Sequence, residues 1–376
     1  MKRKLIVSLA LVVALVTAGS LHSYTLEASS TQVEVVSQPV KVEDIQAKIH
    51  FINTGQSDCI LVEDSGEFIL IDGGDRDDDA TVKAYLEKVG VKKLKFLVVT
   101  HYHSDHFGGI NDTISSYGKG AEAVLVPNGD ADTQVYRDFI NSCMSVGLKP
   151  SVPLPDSKFT LGNSTFKFYN TKGGYDNTNN NSLVVELTSG KTKALFMGDA
   201  EKEVEQAILK EVGDVDILKV GHHGSHSSST PEFLDKVKPE VAVIQVEKGN
   251  KYGHPHKETM SEFKTRNIEV HRNDECGDIV YTITKDGYTT ECKVKGSYNP
   301  GNKDATTETK PSTNGTVVSK PQEPAKDSGS TKKYYWTPSG KSYHTTKRCS
   351  TLSRSKTILE GTLKESRKSD PCDRCH

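Results

Sequence analysis

Residues Thr100-His101-Tyr102-His103-Ser104-Asp105-His106 follow the apolar run Phe96 to Val99 and bring three histidines and an aspartate into six positions. A solvated polar loop would hold such a set only by accident; the preceding strand-like run and the following Gly108-Gly109 point to a ligand loop instead. In an extended chain His101 and His103 point to one side, while Asp105 and His106 turn toward a second point nearby. Imidazole and carboxylate suit Zn²⁺, Mn²⁺ or iron, and two such groups hold ions about 3.5 to 4 Å apart. One ion lowers the pKa of its water from about 15.7 to about 7; a second stabilises the entering and leaving oxygens of an in-line displacement. That chemistry suits a phosphodiester.

The elements that must position this loop are those of a layered α/β domain, with function on the loops at strand ends. Short apolar strands are expected at Ile49 to Ile52, Cys59 to Glu63, Phe68 to Ile71, Phe96 to Val99 and Val124 to Val126. Others are expected at Leu183 to Leu187, Lys193 to Met197, Ile217 to Val220 and Val241 to Val246, before a last hairpin turning at Asp286-Gly287. Helical spacing marks Thr81 to Val89, Val135 to Val146, Val204 to Val212 and Pro231 to Val237.

Six stretches carry a resemblance. They are Asn53-Thr54-Gly55-Gln56-Ser57-Asp58, Leu70-Ile71-Asp72-Gly73-Gly74, the HxHxDH loop, Met197-Gly198-Asp199-Ala200, Lys219-Val220-Gly221-His222-His223-Gly224-Ser225 and Tyr252-Gly253-His254-Pro255-His256. In this order they resemble the metallo-β-lactamase superfamily, and within it the hydrolase domain of ComEC-type DNA-uptake proteins and their secreted stand-alone relatives. The resemblance covers about residues 46 to 295 and implies a four-layer αββα fold with two divalent ions, Zn²⁺ or Mn²⁺. It implies His101 and His103 on one ion, Asp105 and His106 on the other, Asp199 bridging both and His222 completing the second site. It also implies that Asp72 fixes the orientation of the ligands from behind them.

One departure matters. Superfamily members such as β-lactamases add a histidine to the first site, yet none lies between Phe107 and Gly221, where Asn179-Asn180-Asn181-Ser182 stands instead. A first site with more oxygen is harder and tolerates Mn²⁺, and it argues against β-lactam hydrolysis. The expectation is a metal-dependent hydrolase that cleaves phosphodiesters by attack of a metal-bound hydroxide oriented by Asp105 and Asp199, with DNA as first-choice substrate. His254, His223 and His226, with Ser225, are candidates for contacting the substrate's developing charge. For His223, His226 and His256 a supporting or solvated role weighs slightly more. The alternatives are a phosphodiesterase or esterase on cell-wall polymers, and a surface DNA- or wall-binding protein with a degenerate metal site.

Lys2, Arg3 and Lys4 precede an apolar run from Leu5 to Ala18, so residues 1–28 are expected to be a signal peptide and the protein to be secreted or held at the cell surface. An uncleaved anchor is the alternative. Residues 29–45 read as a spacer, 46–296 as the hydrolase domain and 297–331 as a disordered linker rich in Pro, Gly, Ser, Thr and Lys. The linker explains a hydrophobic content of 34% with mean hydropathy −0.53 in a chain whose net charge is only −2. Residues 332–376 form a basic module in which eleven Lys or Arg face four Asp or Glu, leaving +7 for this tail and −9 for the rest. Such a tail suits a polyanion or the cell wall.

Within the tail, His344, Cys349, Cys372 and Cys375 have the spacing of a structural zinc site, with His376 a second choice to His344 and a disulfide the alternative. The stretch Tyr334 to His344 before them resembles the Ada-type metal-binding fold. About 45 residues bury too little core to fold without such a staple. Cys59, Cys143, Cys276 and Cys292 are buried or of open pairing; the register of the last hairpin does not set Cys276 opposite Cys292.

Overall fold

The structure, a computed structural model, describes residues 45–292, 294 and 297–301 and, in the tail, 334–338, 342–344, 347, 352, 357–361 and 370–371. The expected signal peptide, the spacer before residue 45, most of the linker, and Cys349, Cys372, Cys375 and His376 lie outside the described residues. The chain divides into two compact units, Met1–Thr307 and Glu308–His376.

In the first unit β1 (Ile45–Phe51), β2 (Ile60–Asp64) and β3 (Glu67–Ile71) form an antiparallel meander. β4 (Phe96–Val98), β5 (Ala123–Leu125) and β6 (Pro150–Ser151) continue it in parallel. Their connections hold α1 (Asp79–Val89), α2 (Ser104–Phe107), α3 (Ile110–Tyr117) and α4 (Gln134–Ser145). A second sheet repeats the plan. Antiparallel β7 (Lys158–Leu161), β8 (Ser164–Tyr169), β9 (Val184–Ser189) and β10 (Thr192–Phe196) lead to parallel β11 (Ile217–Lys219), β12 (Val241–Ile244) and β13 (Glu269–Arg272). Helices α5 (Lys202–Ile208), α6 (Pro231–Val237) and α7 (Lys257–Thr265) cross over between them. After α8 (Asn273–Cys276) the chain returns to the first sheet as β14 (Ile279–Thr284) beside β1, followed by β15 (Gly287–Thr290).

The pleat sorts the apolar residues into three cores. Ile49, Phe51, Ile69, Ile71 and Val98 of the first sheet meet Phe166, Phe168, Val185, Phe196 and Val243 of the second. Their neighbours Leu61, Leu70 and Leu97 point the other way, onto Val82 and Leu86 of α1, Ile114 of α3 and Phe139 of α4. On the far side Leu195, Leu218 and Ala242 pack on Val204, Phe233 and Phe263 of the second helical layer. Strands buried on both faces must be apolar without interruption, and this accounts for runs such as Phe96 to Val99. The arrangement is the expected αββα fold.

One point the sequence leaves open is decided by the structure, and one expectation is corrected. Cys276 and Cys292 form a disulfide with Cα atoms 5.8 Å apart. Hairpin register still does not pair them, since Tyr281 faces Thr290. Cys276 ends α8 outside the ladder, and that short helix brings it to the segment leaving β15. The linker also does not begin at Ser297. Residues 297–301 are tied to the first unit: Tyr298 Oη donates to Ile268 O, Arg272 donates to Asn299 O at 2.6 Å, and Gly301 N donates to Pro255 O at 2.7 Å. Tyr298, the one large ring in that segment, packs against the second helical core.

The second unit contains a four-stranded sheet in the order β18 (Leu359–Gly361), β16 (Tyr334–Trp336), β17 (Ser342–His344), β19 (Asp370–Pro371). Trp336, Leu352 and His344 are buried.

Candidate metal centre

Most of the ligand-type side chains that meet in the first unit leave a strand at one edge of the two sheets. Asp72 follows β3, the HxHxDH loop follows β4, Asp199 follows β10, and His222 and His223 follow β11. The parallel strands make this possible, because their carboxyl ends lie together. Three groups of donors with atoms within 4.8 Å of one another result: His101, His103 and Asp199; Asp105, His106, Asp199 and His223; and Asp58, Asp72 and His106.

Asp199 stands between the first two groups with one oxygen toward each. Its Oδ2 lies 3.9 Å from His101 Nε2 and 3.8 Å from His222 Nε2. Its Oδ1 lies 3.2 Å from His106 Nε2 and 3.7 Å from His223 Nε2. The Met197 to Ala200 turn that aims this carboxylate needs Gly198. Its φ is +54°, and a Cβ there would stand 2.9 Å from Thr100 Cβ. Ser182 Oγ accepts from Asp199 N at 3.1 Å, and Asn180 Oδ1 accepts from Glu201 N at 3.0 Å, so the asparagine stretch braces the same turn.

The structure redistributes the two adjacent histidines. His223, expected at most to touch substrate, is buried, with Nε2 3.5 Å from Asp105 and Nδ1 2.9 Å from Gln245 O. A carbonyl can only accept, so Nδ1 carries the proton and Nε2 faces the carboxylates. His222, expected to complete the second site, is part-exposed on the Oδ2 side, its Nδ1 3.1 Å from Glu201 and 3.2 Å from Ser227 Oγ. The cause is backbone conformation: φ is +48° at His222 and +51° at His223, so the chain coils left-handed and neighbouring side chains splay to opposite oxygens. Such conformations cost about 1–3 kcal/mol each and persist where surrounding contacts enforce them.

Asp72, also left-handed at φ +57°, orients both halves of the centre. Its Oδ2 accepts from His106 Nδ1 at 2.8 Å and from Thr100 Oγ1 at 2.7 Å, and its Oδ1 from Thr100 N. Thr100 Oγ1 in turn lies 3.2 Å from His101 Nδ1. With protons on these Nδ1 atoms, the Nε2 atoms of His101 and His106 are left for a cation.

Electrostatics agree with geometry. Burial pushes the His106 imidazole down, but the carboxylates of Asp199 and Asp72 overcome it and hold the pKa well above the usual histidine range. His223 is raised in the same way by Asp199 and Asp105 against burial. Asp199 is held well below the carboxylate range by His106, His223 and His222 in spite of burial. On the Oδ1 side a field that favours protonated imidazoles also favours a divalent cation, which displaces those protons, while burial holds His101 and His103 below the usual histidine range. His106 Nε2, His223 Nε2 and Asp199 Oδ1 are buried without hydrogen-bond partners, as ligand atoms of an ion would be. The residues therefore fit the divalent ions that this fold generally binds.

Sequence reasoning assigned no role to Asp58 and Lys219, which form an ion pair of 2.5 Å with both side chains buried. Asp58 Oδ1 lies 3.5 Å from His223 Nδ1 and Oδ2 3.8 Å from His106 Nδ1, so the pair stands directly behind the second group. A lysine closing the apolar run Ile217-Leu218 was the visible signal. His254 is buried over the site, its ring 5.4 Å from His222 and 6.3 Å from His223. Burial and the positive fields of His223, His222 and His256 push it down to about 2, so it is neutral. Ser225 is buried, its Oγ accepting from Ser227, whereas His226 lies at the surface against His256, 2.8 Å between Nδ1 atoms. In the second unit His344 sits on β17, paired in register with Tyr335.

A family model described as the metallo-beta-lactamase superfamily matches residues 52–246, just over half of the chain. ComE operon protein 3 of Bacillus subtilis (strain 168) is 28% identical over 200 residues, 52% of this chain and 26% of that protein. Competence protein ComA of Neisseria gonorrhoeae is 25% identical over 257 residues, 66% of this chain and 34% of that protein. The match thus spans about a quarter to a third of these curated relatives. Among solved structures, the metallo-beta-lactamase fold protein YhfI from Bacillus subtilis aligns with a TM-score of 0.44 at 17% identity, covering 60% of this chain and 96% of that one. Sheet order, the ligand loops at one sheet edge and the family match lead to one conclusion: the chain belongs to the metallo-beta-lactamase superfamily.

Proposed function

We propose that the first unit is a dinuclear metal-dependent phosphodiesterase whose first-choice substrate is DNA. The observation that carries this is Asp199 with one oxygen toward His101 and the other toward His106 and His223. When bound, two divalent ions supply Lewis acidity at the phosphoryl oxygens and a nucleophile at neutral pH. The protein's own part is positional. Asp105 and Asp199 accept hydrogen bonds from, and so orient, the attacking water. Gln56 Oε1 accepts from Glu247 N, which leaves Gln56 Nε2 3.4 Å from His254 Nδ1. An amide nitrogen only donates, so His254 carries its proton on Nε2 and offers a neutral donor to a phosphoryl oxygen.

Likeness over part of their length to proteins named for competence supports DNA, and the +7 tail supports a polyanion. Export is the proposed address. The apolar N-terminal run supports it, as does the Cys276–Cys292 disulfide, a bond that persists in oxidising compartments. Among the described residues no helix is long and apolar enough to cross a membrane. A structural zinc on His344, Cys349, Cys372 and Cys375 remains the proposal for the tail.

The test is Mn²⁺- and Zn²⁺-dependent hydrolysis of single-stranded DNA by the purified protein beside an Asp199→Asn control. Metal-dependent cleavage lost in the control is expected. Absence of cleavage with either metal, while ions bind, would overturn the DNA assignment in favour of wall-polymer or small phosphodiesters.

A further inference from the structure

Tyr252 is the only aromatic among the large apolar side chains exposed in the described residues, at 46%. Its ring is stacked on His254, centroids 5.5 Å apart and planes at 22°. His254 is in turn stacked on His223, 6.3 Å and 24°, so the exposed ring lies two ring contacts from a member of the second donor group. Lys251 Nζ stands 4.9 Å from the Tyr252 ring centroid.

The platform is rigidly held. Buried Asn250 donates to Glu247 O and His254 O and accepts from Tyr252 N and His254 N, fixing the whole turn. From the other side Gly301 donates to Pro255 O, approaching so closely that a Cβ would lie 1.9 Å from His254 O. A singly exposed aromatic side chain is by itself ordinary surface. One presented on a braced turn beside a phosphodiester site has the geometry of a surface onto which a flat ring stacks. Lys251 is exposed beside the ring, whereas Lys257 is paired with Glu258 at 4.0 Å. An aromatic platform and an adjacent lysine are the two kinds of group by which proteins hold single-stranded nucleic acid, and a base stacked within a duplex cannot offer its face.

Resting on the phosphodiesterase reading above, we propose that Tyr252 stacks an unpaired base of the substrate strand, so that the site selects single-stranded nucleic acid through its bases as well as its phosphates. Lys251 then moves from the ring to a neighbouring phosphate as the base takes its place. Tyr252 is a binding and specificity residue; the phosphorus chemistry stays with the donor groups.

The test is fluorescence anisotropy of the full chain at ~0.15 M salt without added divalent metal. Two labelled single strands of equal length are compared, one with bases and one built wholly of abasic residues, so that both carry the same phosphates. The wild type is expected to bind the base-bearing strand about tenfold more tightly than the abasic one. Tyr252→Ala should remove that preference by weakening the first and leaving the second unchanged, and Tyr252→Phe should keep it. Equal affinity of the wild type for both strands, or an equal loss on both in Tyr252→Ala, would overturn the proposal. Because the basic tail would add equally to both association constants and lower the ratio, the titrations are run with an excess of unlabelled inorganic polyphosphate, which occupies the tail and carries no bases. Wild-type hydrolysis of bis(p-nitrophenyl) phosphate, measured in parallel with metal, tests the phosphodiesterase reading separately.

Discussion

At the scale of residues, adjacency in sequence is misleading at His222 and His223. The two share a turn, yet one stands on the Oδ2 side of Asp199 and the other on the Oδ1 side. Their substitutions should therefore differ. His223→Ala is expected to remove the ion on the Oδ1 side, roughly halving bound metal by elemental analysis after dialysis, and to lower turnover at least ~100-fold. His222→Ala should leave that ion in place and weaken the other. Equal metal loss in both variants would contradict the split. Asp72 touches His106 directly and His101 through Thr100. Asp72→Asn should accordingly weaken both sites by about 10–100-fold, read by chelator competition.

Elements add a pH dependence that does not involve the metal. His50 on β1 is buried against Tyr85 of α1, its Nδ1 3.0 Å from the phenolic oxygen and its Nε2 without a partner. Burial, partly offset by Glu63 and reinforced by Lys48, lowers its pKa from 6.5 to about 4. The unfolded chain takes up this proton near pH 6.5, whereas the folded chain refuses it until about pH 4. Stability is thus full above 6.5, declines as pH falls through this window by about 3 kcal/mol, and is level below it. His50→Gln cannot titrate and should reduce that acid loss by about the same amount, measured by urea unfolding at the two ends of the window. Many other elements were readable from pattern, although α3, β6 and β13 were not among them. The β7–β8 hairpin was missed, although Phe159, Leu161, Phe166 and Phe168 alternate around a Gly162-Asn163 turn. So was α7, whose polar surface leaves only Thr259, Met260 and Phe263 as buried anchors.

For the whole molecule, the closing constraint is the Cys276–Cys292 disulfide around the last hairpin. It links positions 16 apart, and restricting a loop of that length in the unfolded chain is worth about 3 kcal/mol. Cys276→Ser with Cys292→Ser should lower stability by about that amount in urea while metal content is kept, because neither cysteine belongs to a donor group. A loss of metal along with stability would show that the hairpin supports the centre more directly.

A layered α/β domain and the HxHxDH loop were legible in the sequence because both depend on local pattern, whereas the four-layer αββα order came from the family resemblance. Apolar runs long enough for a strand buried on both faces, and ligands concentrated in six residues, need no distant partner to be recognised. Asp199 and the His222-His223 pair were visible only by family resemblance, and which oxygen each histidine faces was settled by a left-handed turn that residue types alone do not specify. Asp58 and Lys219, separated by 161 positions, meet only when β2 and β11 bring their ends to one sheet edge. The disulfide likewise waited for α8 to step out of the ladder. Sequence determined which donor types the chain carries, since that follows from side-chain type and short-range spacing; tertiary structure decided which donors stand together, since that follows from strand ends converging across the fold.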